Sequence, residues 1–396
     1  MRKSTRALGA LLLGGLVAGC ATKEETSLKI YVQQKLYDKA ITQGKMALLK
    51  EPNNGDTHYF LGAAYYGKDQ DLKPEAEGYA DSAAAYIKMA YDHFVKAKEL
   101  AAGAWGKSVD DNIRAMFGRH NNRGVVAAKK DENDVAAMEY RLATIADPDD
   151  FNGYYAHAGA LWMLAKEALK SKEEAEFSKL GDVILTDLEK VLALKPAERE
   201  VQVAVYQLRG EVLYRRHEGK AAQEAYAEAV KLDPENYGLM ATMAERFYNE
   251  QDWENAEKYF EDALAVQERL NLIEESDAEL YEALATARVK MSKRDEAIEA
   301  YQKALELKPN DEATMYNIMV THYKAGEALA TDGKMDEAKD RFSQGIAMGN
   351  ELIRINSNKP EYWQVIGYCK RGLGDTGGAA RDLKRFNDLR NQQQAK

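Results

Sequence analysis

The sequence predicts an all-α fold in which antiparallel helix pairs follow one another along the chain and stack into a solenoid. Three observations carry that prediction. Ala, Leu, Glu, Lys and Tyr dominate, β-branched runs are few, and apolar residues recur at helical spacing instead of alternating. Similar stretches return at a near-constant period. Proline, which cannot continue a helix interior, punctuates those stretches: Pro52, Pro148, Pro196, Pro234, Pro309 and Pro360 fall at pair junctions, and Pro74 alone lies in an insertion. At 396 residues the chain is also too long for one compact core.

Taken in order, the chain opens with Arg2, Lys3 and Arg6 ahead of an apolar run from Ala7 to Gly19 that ends Leu16-Val17-Ala18-Gly19-Cys20. A basic start, a short apolar core and small residues before a cut make a secretory signal, and the run is too short to cross a bilayer as a helix. Cysteine directly after Ala-Gly resembles the lipobox of bacterial lipoproteins. The resemblance implies that residues 1–19 are removed, that Cys20 is acylated (palmitate among its chains), and that 20–27 tether the body to a cell-envelope membrane. By resemblance to enterobacterial sorting, Ala21 in place of Asp implies the outer membrane, facing the periplasm. Several acyl chains on one cysteine hold firmly, at about 0.8 kcal/mol per buried methylene.

Residues 28–200 read as divergent repeats with insertions. Ala40-x6-Ala47-x4-Pro52 is a second helix of a pair, His58-x2-Leu61-Gly62-x2-Tyr65 a first helix, and its partner Ala90-x3-Phe94-x2-Ala97 comes late. Ala136-x3-Tyr140-x2-Ala143-x4-Pro148 is another second helix, and Phe151 to Pro196 keeps only Ile184, Leu188 and Val191 at the diagnostic places.

Residues 201–393 are regular. Tyr206-x3-Gly210-x2-Leu213 precedes Ala222-x3-Tyr226-x2-Ala229-x4-Pro234; Met240-x2-Met243-Ala244-x2-Phe247 precedes Ala256-x3-Phe260-x2-Ala263; Tyr281-x2-Leu284-Ala285-x2-Arg288 precedes Ala297-x3-Tyr301-x2-Ala304-x4-Pro309. The last unit is Trp363-x2-Ile366-Gly367 with Ala379-x3-Leu383-x2-Phe386. Small residues let paired helices approach while the large ones fill the space beside them. This pattern resembles the tetratricopeptide repeat, a helix pair about 34 residues long. Ala222 and Ala256 are 34 residues apart, and the steps to Ala297, Ala338 and Ala379 are each 41, one repeat plus about two helical turns. Those additions are expected to lengthen helices or their connections. About nine pairs are expected between residues 25 and 393, and the resemblance implies a right-handed superhelix.

The net charge is −10, and loss of Arg2, Lys3 and Arg6 takes the mature chain to near −13. That balance argues against non-specific nucleic-acid binding and, taken over the whole chain, gives no basic patch for anionic lipid. The membrane link is therefore expected to be the lipid alone. Once Cys20 is acylated, Cys369 has no partner for a disulfide and reads as a helix packing residue.

No catalytic, metal or cofactor signature is present: no phosphate loop, no dinucleotide fingerprint, no His-Glu-x2-His and no Gly-x-Ser-x-Gly. His58, His93, His120, His157, His217 and His322 lack metal-ligand spacing. Asp147, Asp149, Asp150 and Asn152 fail as a calcium loop because Phe151 takes a ligand place, and they read as a turn and helix start.

The remaining candidate is a groove. In tetratricopeptide arrays the first helices of successive pairs line a concave surface that holds a partner segment. Carried over, the resemblance places Tyr214, Arg215, Tyr248, Asn249, Lys290, Tyr316, Tyr323, Lys324, Tyr368 and Arg371 on it, together with Glu211, Glu245 and Val289. Tyr gives large contact area at low entropy cost. The family's Lys-Asn-Arg clamp for a terminal carboxylate is not found. The expected function is a non-enzymatic scaffold for other envelope proteins or peptides, assisting assembly or secretion of envelope components. The alternative is an accessory that docks peptidoglycan-remodelling or other envelope enzymes. The polar end Asn391-Gln392-Gln393-Gln394-Ala395-Lys396 offers little sticky surface, which favours a monomer or weak dimer.

Overall fold

The computed structural model describes residues 22–196 and 198–394. The signal segment and Cys20 lie outside the described residues. Seventeen α-helices and one 3-10 turn, with no strand, make up the described residues: α1 (Lys23–Gln33), α2 (Tyr37–Lys50), α3 (Gly55–Asp71), α4 (Tyr79–Ala128), α5 (Asn133–Ala146), α6 (Phe151–Ser171), α7 (Glu174–Ala193), α8 (Arg199–Arg215), α9 (Gly219–Leu232), α10 (Tyr237–Asn249), α11 (Trp253–Leu270), α12 (Ala278–Lys290), α13 (Arg294–Leu307), α14 (Glu312–Thr331), α15 (Met335–Ile355), α16 (Pro360–Gly372) and α17 (Thr376–Gln394). The first helix takes up residues 23–27, assigned above to the tether. The chain divides into two compact units, residues 1–198 and 199–396, against 28–200 and 201–393 in the sequence.

The first unit holds α1 to α7. Its longest helix, α4, is two helices joined at Ala101, whose backbone (φ −146°, ψ 49°) is not helical. Phe94 and Trp105, on either side of that residue, both lie against Tyr59, with ring centroids 5.8 and 3.9 Å away. Lys98 pairs with Asp110 at 2.5 Å. A straight helix would hold those two Cα atoms about 18 Å apart. The chain therefore doubles back at Ala101. The limb 79–100 runs antiparallel to α3, bringing Phe94 to Gly62 and Tyr86 to Tyr65. The limb 102–128 runs along α3, bringing Trp105 to Asp56 and His120 to Asp69, and it forms the next pair with α5. With that division the described residues form nine helix pairs, four in the first unit and five in the second.

Each pair turns on one residue with left-handed backbone: Lys35, Gly78, Asp131 and Lys172 in the first unit, and His217, Gln251, Ser292, Gly333 and Gly374 in the second. Apart from the longer α3–α4 connection, where Gly78 precedes α4, the turn reverses the chain within two to four residues and satisfies the last carbonyls of the first helix, as where Asp252 N–H donates to the Phe247 carbonyl.

Packing follows the small-and-large pattern. A Cβ on Gly210 would sit 2.6 Å from the Tyr226 ring, so only glycine admits that tyrosine across the pair. Ala222, Ala256, Ala297, Ala338 and Ala379, which open the second helices, are all buried. The 41-residue steps are taken up by a long α11 with the 3-10 turn Glu275–Asp277, then by α14 and α15, at 20 and 21 residues. In the second unit one apolar cluster joins Met315, Met319 and Tyr323 of α14 with Phe342 and Leu352 of α15 and Ile366 and Cys369 of α16. In the first unit Leu61, Ile87, Phe94, Met116 and Leu142 are the fully buried centre.

Candidate functional site

The candidate residues lie in the second unit, on the first helices of its five pairs. Consecutive first helices are bound together directly or through the helix between them: Arg246 of α10 to Glu211 of α8, Arg288 of α12 to Glu257 of α11, Thr314 of α14 to Glu282 of α12, and Tyr362 of α16 to Glu312 of α14.

At α8 the centre is the Glu211 carboxylate. It accepts from Arg215 at 2.8 Å, from the Tyr226 hydroxyl at 2.9 Å and from Arg246 at 3.3 Å. Burial works to raise this carboxyl, and the two guanidinium groups with Tyr226 outweigh it and hold it below its ordinary range. The Tyr214 ring lies beneath Arg246 at 5.1 Å and Arg215 at 6.0 Å.

At α10 the Tyr248 ring meets Trp253 edge-on, with centroids 5.3 Å apart, and Lys290 reaches over Trp253 from α12 at 5.9 Å. Asn249 beside it is exposed. At α14 and α16, Tyr323 lies between Phe342 and Tyr368, with centroids 6.2 and 5.7 Å away. Lys324 stands over Tyr323 at 5.1 Å and pairs with Glu327 at 2.8 Å, while Arg371 stands over Tyr368 at 5.0 Å. Tyr316 packs on Tyr362 at 5.8 Å.

The structure thus gathers the expected residues into three stations. Cations of the first helices ride on aromatic rings there: Arg215, Lys290 and Arg371 from helix ends, and Lys324 from within α14. A cation over a ring is attracted by the ring's quadrupole and remains available to a carboxylate. Lys290 and Arg371 are exposed and have no ion pair among the described residues.

One expected contact residue is placed differently. Tyr323 is only 9 % exposed, and its hydroxyl donates to Glu327. Gly326, one helical step on, admits the Phe342 ring under α14, and Tyr368 closes the other side. Tyr323 therefore supports the surface and offers a partner little area. Two residues of the site escaped the sequence reading, Arg246 and Trp253. Trp253 is the first residue of a second helix, so spacing along the first helices passes over it; its place two residues after the Gln251 turn is the signal that finds it.

Among the described residues no three His, Cys, Asp or Glu side chains are grouped to hold a metal ion. Cys369 is fully buried, and burial pushes its thiol up to about 12, far from a reactive thiolate. His120 is sealed between Glu139 at 2.7 Å and Asp69 at 3.3 Å. Burial opposes its protonation, and the two carboxylates outweigh burial and raise its pKa. An open cleft of about 790 Å³ between the start of α13 and helices α14 and α15 carries mixed charge, including the Arg341–Asp295 pair at 2.6 Å.

The tetratricopeptide repeat family model matches residues 237–310, which are the α10–α11 and α12–α13 pairs. These two pairs are tetratricopeptide repeats. The Photosystem I assembly protein Ycf3 of Prochlorococcus marinus is 28% identical over 107 residues, and its counterpart from Synechococcus strain CC9605 29% over 108; each match covers 27% of this chain. The chain spans 60% of the length of these curated relatives. Among solved structures, the C-terminal part of a tetratricopeptide-repeat protein from Cytophaga hutchinsonii is 18% identical, with a TM-score of 0.43, covering 67% of this chain and 93% of that one.

Proposed function

We propose that this chain is a non-enzymatic scaffold of the bacterial cell envelope. A lipid on Cys20 holds it to a membrane, with the outer membrane facing the periplasm as its place, and the second unit grips a partner protein along its first helices. The observation that supports the grip is the ladder of cations on rings. Such a surface suits an extended segment whose carboxylates meet Arg215, Lys290 and Arg371 while its apolar side chains lie on Tyr214, Tyr248 and Trp253. The tether raises the effective concentration of the scaffold near other envelope proteins without any new contact. The likeness of the repeats to an assembly protein supports a role in assembly.

A photo-crosslinking residue at Asn249, in intact cells, is expected to capture one dominant partner. Trp253→Ala with Lys290→Glu is expected to reduce that capture at least tenfold while the circular dichroism spectrum stays unchanged. Undiminished capture by the double variant removes this groove. Fatty-acid labelling of wild type and not of Cys20→Ala checks the anchor separately.

A further inference from the structure

The charge of the whole chain hides a local reversal. Residues 22–50 hold six lysines against Glu24, Glu25 and Asp38, a net +3 in a chain of −10. This is the first helix pair. Its second helix buries Tyr37, Ala40, Gly44 and Ala47 and turns the opposite side outward. On that side Leu49 is 84% exposed and Met46 44% exposed, three residues apart and so on one face. Lys39 and Lys45 flank them on α2, and Lys35 stands in the preceding turn; all three are exposed, with no ion pair among the described residues. Two of the acids beside it are held in ion pairs, Glu51 is hydrogen-bonded, and Asp71 stands exposed near Tyr37. Glu24 pairs with Lys50 at 2.7 Å, Asp38 with Lys68 at 3.0 Å, and Glu51 accepts from Asn54 at 2.9 Å.

The position of this face matters as much as its composition. The Lys50–Glu24 pair fastens the end of α2 to the start of α1. Leu49, the residue before Lys50, is therefore at the end of α2 that meets the start of α1, where the segment carrying Cys20 joins the body. We infer that the exposed face of α2, with Met46 and Leu49 ringed by Lys35, Lys39 and Lys45, docks on the surface of an anionic lipid bilayer. Lysine headgroups meet the lipid phosphates while the leucine and methionine side chains enter the acyl boundary, as on an interfacial amphipathic helix. This gives the tethered body a fixed orientation, with the first pair on the membrane. The inference rests on the membrane placement proposed above, but its test does not use the lipid anchor.

The full chain carrying Cys20→Ala, so that no acyl chain can form, is labelled with an environment-sensitive fluorophore at Leu49→Cys or, as reference, at Met163→Cys on α6. Cys369 is buried and does not compete for label. Vesicles of phosphatidylcholine alone, or of phosphatidylcholine and phosphatidylglycerol in equal amounts, are then added. A blue shift at position 49 with the anionic vesicles alone, none at position 163, and loss of the shift in high salt is the expected result. Lys35→Glu, Lys39→Glu and Lys45→Glu together should lower the partition by roughly a hundredfold. A shift that survives those three changes belongs to the chain ahead of α1 and overturns the inference. So does a shift that needs no vesicles and grows with protein concentration, which would assign the face to a second copy. Absence of any shift at position 49 overturns it while leaving the anchor on Cys20 untouched; failure of Cys20 labelling in cells removes the anchor and leaves this face to be judged by the vesicles.

Discussion

His58 and His93 show how much one pair of side chains can commit. Their Nδ1 atoms are 2.9 Å apart, and the Nε2 of His58 lies 3.0 Å from the Pro52 carbonyl. A carbonyl only accepts, so Nε2 of His58 carries the proton and its Nδ1 is the acceptor; His93 must then donate from Nδ1. The lone pair on Nδ1 of His58 is thus taken up by the His93 N–H. Burial, with His58 beside it, lowers the pKa of His93 to about 4. The unfolded chain takes up its proton near 6.5 and the folded chain does so later. The stability this residue supplies is therefore complete above pH 6.5 and is lost as pH falls towards 4. Between pH 7 and pH 5 the loss is roughly 2 kcal/mol. His93→Gln keeps a donor for His58 and cannot titrate, so urea unfolding of that variant should show a shallower fall over the same interval; equal slopes would refute the assignment. His120 acts with the opposite sign, since its raised pKa supplies stability that is present in acid and lost as pH rises through the folded value. None of this was legible in the sequence, where the two members of the pair stand 35 residues apart.

At the scale of the element, the turns are more revealing than the helices. Nine pairs turn on nine left-handed residues, yet only Gly78, Gly333 and Gly374 among them are glycine. A side chain in that conformation costs about 1 kcal/mol. Gln251→Gly and Ser292→Gly, at the turns α10–α11 and α12–α13, should each raise stability by about 0.5–1 kcal/mol, measured as a higher urea midpoint with unchanged slope. No change at either site would mean that the side chains stabilise the turns by contacts that offset the strain. Alanine and proline spacing announced most pairs because it reports directly on close helix approach and on chain breaks. It did not announce the reversal at Ala101. No proline stands there, and the break is forced from outside, by Tyr59 holding Phe94 on one limb and Trp105 on the other. Spacing likewise put Tyr323 on the surface, because it reports which side of a helix a residue faces and not what a neighbouring helix brings to cover it.

For the molecule as a whole, the repeats determine how far damage spreads. Each pair leaves an apolar face that the next pair covers, so stability is a sum of pair terms and neighbour terms. The last three helices before the final one make this concrete. Met319, Phe342 and Leu352 of α14 and α15 are buried against Ile366 and Cys369 of α16, and a Cβ on Gly349 would meet Ile366 at 2.5 Å. Removing residues 356–396 deletes α16 and α17, 13 and 19 residues long, and uncovers that face. Each large side chain returned to water costs about 1.5–3 kcal/mol, and at least three are exposed at once. What remains on the other side of α14 includes hydrogen bonds such as Thr314 to Glu282, each contributing only about 1 kcal/mol. The neighbour term is the larger, so α14 and α15, with 20 and 21 residues, should melt together with the deleted pair. The helical signal of the truncated chain should then fall by more than twice the share of α16 and α17. A fall equal to that share alone would show that each pair stands by itself and that the stacking supplies little.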